Sequence, residues 1–295
     1  MFFPYHIKDF NFVKATSLGD DFILFDQRIY NVPEEVLPIM ARTICRRDFS
    51  IGADGLILIC EPTDSKYDIR CRIFNPDGSE ADMRSSALRI FSKYVYQQHL
   101  VTKLKLNVET KRGLVVPELM KIISGTITGV RVNMGSPSLN PKEVPVNADE
   151  PVLDAPLRVE DREFRYSAIS MGTPHCVIFT NDLSIKTVKK YGALIEGNTS
   201  LFPQRTNVEF VRVLSQREAD FRVYRRNLGI TNVCGKGACA AGVAGVMLGL
   251  FQKNYPIIFH MMEGELSITY TGEHVLIEGP ATEVYTGHIE NLVIE

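Results

Sequence analysis

Residues 234–251 run CGKGACAAGVAGVMLGLF. From Gly237 to Phe251 nothing is charged, yet the stretch is shorter than the roughly 20 residues of a membrane-spanning helix and is dense in Gly and Ala. It predicts a helix buried on every side in a globular core. Short runs with strand character surround it, at residues 164–170, 176–179, 208–213 and 221–225 before it, and at 257–260, 265–270 and 274–278 after it. A second helix is expected at about 184–196. Many short strands around one buried helix imply an α+β unit with a mostly antiparallel sheet.

The first half has the same plan. Residues 21–26 and 56–60 are short apolar runs, and Ile69, Cys71 and Ile73 alternate with Arg70 and Arg72 at the period of a half-buried strand. A helix is expected from Val32-Pro33-Glu34-Glu35 to about Cys45, with Pro and acids at its start, despite Pro38. Asn75-Pro76-Asp77-Gly78 has turn composition. It leads into a helix over 85–100, where Ala87, Leu88, Ile90, Phe91, Tyr94 and Val95 fall on one face. Strands follow at 104–110 and 129–134, then the long loop-like interval 135–152. The expected architecture is α+β, with two pseudo-symmetric halves, each a mostly antiparallel sheet or barrel around a central helix. The halves are residues 1–128 plus 284–295, and 129–283 carrying Cys234. A faint internal repeat supports them: Met83-Arg84-Ser85-Ser86-Ala87-Leu88 and Val233-Cys234-Gly235-Lys236-Gly237-Ala238 each set one distinctive residue before small residues that open an apolar helix. Two such helices are expected to face each other across a cleft.

Composition narrows the function. A chain of 295 residues that is 45% hydrophobic and 23% charged excludes disorder, collagen and a coiled coil. Lys plus Arg number 33 against 35 Asp plus Glu, which leaves no basic excess for nucleic-acid binding. Six scattered cysteines are too sparse for a disulfide scaffold and suit a reducing compartment. Residues 1–12 contain Pro4, His6, Lys8 and Asp9 where a secretory leader would be apolar, so a cytoplasmic protein without membrane association is expected.

The strongest chemical signal is Cys234-Gly235-Lys236-Gly237-Ala238-Cys239. A cysteine opening a helix lies at the positive end of the macrodipole, here beside a lysine, and the free N–H groups there suit a carboxylate or phosphate. The simpler reading is a small apolar cysteine at a Gly-rich helix start. Cys239 falls on the helix and is expected to pack. The two cysteines are poorly spaced for tetrahedral metal ligation, so no metal is expected. Three other clusters contain polar residues at turns: 74–84 with Asn75 and Arg84, 170–175 with Thr173 and His175, and 202–210 with Arg205 and Asn207. Each can equally cap a helix or tie a loop, and a lone turn histidine is usually structural or solvated.

In their order and spacing the motifs resemble the diaminopimelate epimerase family. They are residues 50–56 (SIGADGL), 74–80 (FNPDGSE), 130–137 (VRVNMGSP), 171–175 (MGTPH), 205–210 (RTNVEF), 234–239 (CGKGAC) and 278–281 (EGPA). The resemblance implies a homodimer of the same two-half fold, in lysine biosynthesis, and cofactor-independent epimerisation of a small-molecule carboxylate. One cysteine thiolate takes the α-proton, a second returns one from the opposite face, and both helix N-termini hold the substrate carboxylate. By that resemblance Cys234 is the second catalytic cysteine, Asn75, Asn207 and Arg226 contact substrate, and Gly235, Lys236, Ser85 and Ser86 lie at the anion-holding helix starts.

Several positions depart from the pattern. Arg84 stands where the first catalytic cysteine belongs, and an arginine stays protonated, so it cannot serve as a base. Ser85-Ser86-Ala87 replaces Gly-Asn-Gly, Arg225 replaces the acid that meets the substrate amine, Thr173 and Asp20 each replace a ligand Asn, and Lys236 replaces a Thr. An α-ammonium meeting Arg225 would be repelled by at least about 1 kcal/mol. The expectation is therefore an isomerase with Cys234 as single base and a small di- or tricarboxylate as substrate. The alternatives are diaminopimelate epimerase itself, with Ser85 or a mobile Cys as second acid, and a non-catalytic descendant that binds an anionic metabolite or a partner. Arg84 has its own simpler reading, an ion pair with Asp82 or Glu80.

Overall fold

Strand β1 (Tyr5–Ser17) is followed by β2 (Asp20–Asp26), α1 (Gln27–Tyr30), α2 (Leu37–Ile44), β3 (Leu56–Cys60), β4 (Ile69–Phe74), α3 (Ser85–Gln97), β5 (Val108–Thr110), β6 (Gly113–Val115), β7 (Glu118–Ile123) and β8 (Thr126–Asn133). Then come β9 (Ala155–Val159), β10 (Arg162–Ser170), β11 (Pro174–Phe179), α4 (Ile185–Glu196), β12 (Asn207–Ser215), β13 (Glu218–Arg225), β14 (Gly229–Thr231), α5 (Gly235–Met247), β15 (Ile257–Met261), β16 (Gly264–Tyr270), β17 (Val275–Gly279) and β18 (Thr282–Ile294). The computed structural model describes residues 4–123 and 126–294; residues 1–3 of the amino-terminal stretch lie outside them. The chain divides into unit 1, Met1–Val132 with Gly279–Glu295, and unit 2, Asn133–Glu278.

Each unit is built to one plan. The sheet of unit 1 runs β18-β1-β2-β3-β4-β5-β6, and that of unit 2 runs β9-β10-β11-β12-β13-β15-β16-β17, with β14 added beside β13. From β1 to β6 successive pairs are antiparallel, parallel, antiparallel, parallel, antiparallel. The same alternation recurs along β10, β11, β12, β13, β15 and β16. A parallel step needs a crossover, and helices supply it: α2 between β2 and β3, α3 between β4 and β5, α4 between β11 and β12, α5 between β13 and β15. The pseudo-symmetric α+β architecture expected from the sequence is the one observed.

The central helices match end to end. Both α3 and α5 have 13 residues, preceded by an extended N-cap, Arg84 and Cys234, without a side-chain cap bond. Both stop at a left-handed residue, His99 (φ 57°) and Gly249 (φ 73°). After it, two N–H groups converge on one carbonyl, that of Val95 in unit 1 and of Gly245 in unit 2. Helix α3 packs on β1–β4 and β18, and α5 on β10, β11, β12 and β16. The Gly/Ala stretch is buried from Gly237 to Gly245, as an all-apolar helix requires. Gly245 is needed for that packing, since a Cβ there would lie 2.1 Å from the Phe251 ring.

Two expectations change, and other elements went unread. The helix predicted from residue 32 begins at Leu37, with Pro38 in its first turn, where a missing N–H costs nothing. Ahead of it α1 forms a single turn because the Asp26 carboxylate accepts the Arg28 N–H. The strand predicted at 104–110 enters the sheet only at Val108, and Leu106 instead donates to the Pro117 carbonyl outside the ladder. Strands β1 and β18 escape sequence reading. Their ladder bulges at Lys14/Ala15, and β18 is exposed along Thr282–Gly287 apart from Gly287 itself, so neither shows clean alternation.

Candidate functional site

In unit 2, side chains from four elements gather at the start of α5. Cys234 is the N-cap, 9% exposed, with Gly235 and Lys236 opening the helix. The Lys236 ammonium reaches over the turn before β11, 3.8 Å from where a Gly172 side chain would begin. Gly172 takes φ +78°, and the turn sets Thr173 and His175 on one side. Thr173 Oγ1 lies 3.0 Å from His175 Nε2, and His175 Nδ1 lies 2.7 Å from Glu209 Oε1. His175 and Glu209 are both 0% exposed. Asn207, first residue of β12, donates to the Pro174 carbonyl (3.0 Å) and accepts from the Arg226 N–H (3.1 Å), tying the turn to the end of β13. Arg226 in turn donates to the Gln204 carbonyl at 3.0 Å. Arg225 closes β13 near enough to Glu209 to favour its ionised form.

Unit 2 therefore brings together Thr173, Asn207, Arg225, Arg226, Cys234, Gly235 and Lys236. It also adds two residues that no role was assigned in the sequence. His175, expected to be structural or solvated, is fully buried and paired. Glu209 sits on a strand buried from Asn207 to Val211; an acid within an apolar run was the available signal. Gly237 explains how that acid fits: a Cβ there would lie 2.6 Å from Glu209 Oε1 and 3.1 Å from Cys234 Sγ. Burial pushes the Glu209 carboxyl up, while His175 and Arg225 hold it back.

In unit 1, Arg84 is held in place. Its guanidinium lies over the Phe22 ring at 4.7 Å, donates to the Asp54 carbonyl at 2.7 Å, and stands 3.9 Å from Asp20. The Ser86 hydroxyl donates to the same Asp20 oxygen at 2.7 Å. Asp20, Arg84 and Ser86, three of the positions that depart from the family pattern, are thus one bonded group. The ion pair expected with Asp82 or Glu80 does not form, because Glu80 pairs with Arg72 and Asp82 with Lys111. Asp54 is fixed by Arg47 (2.7 Å), which also grips Asp21 at 2.6 Å. Ser85 is the first residue of α3, and Asn75 stays in its turn, donating to the Ser79 hydroxyl at 2.9 Å.

Among the described residues no group of His, Cys, Asp and Glu side chains could hold a metal ion, and no helix is long and apolar enough to cross a membrane. The described arrangement combines a thiol at a helix N-terminus, the cations Lys236 and Arg225, and a buried acid. It suits binding a polyanionic acid and moving a proton at one of its carbons.

Comparison with known proteins agrees with the motifs. The family model for diaminopimelate epimerase matches residues 12–140 and 167–289. The diaminopimelate epimerase of Moorella thermoacetica is 42% identical over 280 residues, 94% of this chain and 98% of that protein. That of Pelotomaculum thermopropionicum is 44% identical over 279 residues, again 94% and 98%. Among solved structures, a phenazine biosynthesis protein of the PhzF family from Bacillus anthracis has a TM-score of 0.69 at 14% identity, covering 96% of this chain and 99% of that one, a likeness of fold.

Proposed function

The chain belongs to the diaminopimelate epimerase family, and from that premise we propose that it is a cofactor-independent isomerase of a small anionic acid other than diaminopimelate, with Cys234 as its single base. The observation that carries this reading is the charge around the thiol. Lys236 opens α5 and Arg225 lies near the buried Glu209 beside it, so an incoming ammonium group meets cations while carboxylates meet donors. Arg84 holds no transferable proton at accessible pH, which leaves one face of a two-base exchange unserved.

One thiolate is enough for a double-bond shift. Cys234 takes a proton from a carbon next to a carboxylate, forming S–H, and the electron pair moves into the adjacent unsaturated bond. The same thiol then returns the proton to the far carbon, so atoms and charge balance with no second base. Lys236, Arg226 and the α5 N–H groups hold the carboxylates on which negative charge builds up.

The second reading is diaminopimelate epimerase itself, favoured by identities above 40% to relatives of that name. Proton NMR in D2O, with diaminopimelate stereoisomers and a panel of small di- and tricarboxylates, separates the two. Conversion or carbon-bound exchange of a polycarboxylate alone, lost in Cys234→Ser, supports the proposal. Exchange of the diaminopimelate α-proton, lost in the same variant, restores the epimerase. Full activity in Cys234→Ser removes the thiol from both, and binding without turnover points to a receptor for an anionic metabolite. A homodimer is part of the proposal, as in the family, and light scattering on the purified chain tests it.

A further inference from the structure

Glu209 is the group in unit 2 whose placement the proposed reaction does not use. It is fully buried, one oxygen is bonded to His175, and among the described residues its Oε2 has no hydrogen-bond partner. A buried carboxyl oxygen left unsatisfied is costly and calls for a reason. The other oxygen of the same carboxyl borders Gly237. The point where a side chain would start there is 2.6 Å from Glu209 Oε1 and 3.1 Å from Cys234 Sγ, so the acid and the thiol share the space that this glycine leaves open in the first turn of α5.

Two acids that border one buried space repel each other when both are charged, so they titrate as a pair. We propose that Glu209 and Cys234 share one proton, and that Glu209 is the positioning residue that makes the thiol a base. In this step the Cys234 S–H bond breaks, an O–H bond forms on Glu209, and the thiolate appears with no change in net charge. When the thiolate later takes up substrate hydrogen, the pair still holds the proton on the acid. The proposal rests on the reading of Cys234 as the base, though not on the identity of the substrate.

The neighbours are consistent with a shared proton. His175 from β11 faces Oε1, and Arg225 from β13 acts on the carboxyl from another side. Cys176, beside His175, is pushed well above the usual thiol range, first by burial and then by Glu209, and stays protonated. Lys236 and the N–H groups of α5 favour one negative charge in the pair, but not two.

The test needs no substrate. The rate of Cys234 alkylation by iodoacetamide, followed by mass spectrometry of the labelled peptide across pH, reports its thiolate. Other thiols are poor competitors, since burial raises Cys45 to about 12 and Cys60 to about 11 and holds Cys71 and Cys176 well above the ordinary value, and Cys239 is fully buried. In the wild type the rate is expected to rise in two steps with a plateau between them, the first reporting the shared anion and the second the dianion. Glu209→Gln is expected to lose the plateau and give a single step. A single step in the wild type overturns the proposal even if the variant does not fold, as do two steps that persist in a folded Glu209→Gln. Either result leaves the polycarboxylate reading untouched, because that is judged by NMR on substrates.

Discussion

Gly237 illustrates how much one missing side chain decides. An alanine there would place its Cβ 2.6 Å from Glu209 Oε1, and that carboxyl cannot swing away because His175 holds it and the site is fully buried. Gly237→Ala should therefore cost about 1–3 kcal/mol by overpacking, more than the roughly 1 kcal/mol alanine gains in helix propensity. Urea denaturation of the two proteins checks this; a more stable variant would show that the carboxyl has room to yield. Cys234, Lys236 and the glycine between them were legible because helix starts are local. The role of Glu209 was not, since its meaning comes from His175 and Gly237, distant in sequence. Arg84 and Asp20 were both legible as departures, but not as partners. That pairing makes the departures at 20, 84 and 86 depend on one another: restoring a cysteine at 84 alone would leave the Asp20 carboxylate with Ser86 and without the nearby guanidinium.

At the scale of elements, the strands that alternate cleanly and the two central helices could be anticipated, whereas edges and joins could not. One join carries a measurable charge effect. On β15, His260 is gripped from both sides, by Glu218 on β13 at 2.7 Å and Glu265 on β16 at 2.9 Å. The hydrogen bond to Glu218 leads in raising its pKa above the ordinary value, against a smaller opposing effect of burial. A raised histidine stabilises the fold fully below its unfolded value of about 6.5, and that contribution fades as pH rises through the higher folded value. The difference in Tm between wild type and His260→Gln should thus be larger near pH ~6 than near pH ~8.5. Equal differences at both would mean the clasp contributes nothing. The group is partly exposed, so the effect should also shrink with added salt.

For the whole molecule, the two-unit plan followed from the repeated strand and helix patterns. Residues 284–295 were assigned to the first half from the sequence; what the patterns could not show is that they form a strand and that it pairs with β1. β18 pairs with β1 from Tyr5–Ile294 to Thr16–Thr282, and it adds Ile289, Leu292 and Ile294 to the core containing Phe10, Phe12 and Phe25. Its apolar residues lie too far from their partners in sequence to signal a shared sheet. A chain ended after Gly279 should lose amide protection in β1 and β2 during hydrogen exchange, while β10–β13 of unit 2 keep theirs. Loss of protection in both units together would mean that they unfold as one.

The Tyr5–Ile294 pairing has a topological corollary. Strands from opposite ends of the described chain lie side by side, so unit 2 amounts to an insertion into unit 1, and the backbone is nearly a closed ring. In such a ring the position of the opening is a matter of genetics more than of folding. A short linker could join Tyr5 to Ile294, and a new opening at exposed Asp149–Glu150 would leave every described ladder intact. Which half is synthesised first would then be open to choice, with Cys234 and its buried acid emerging from the ribosome ahead of Arg84.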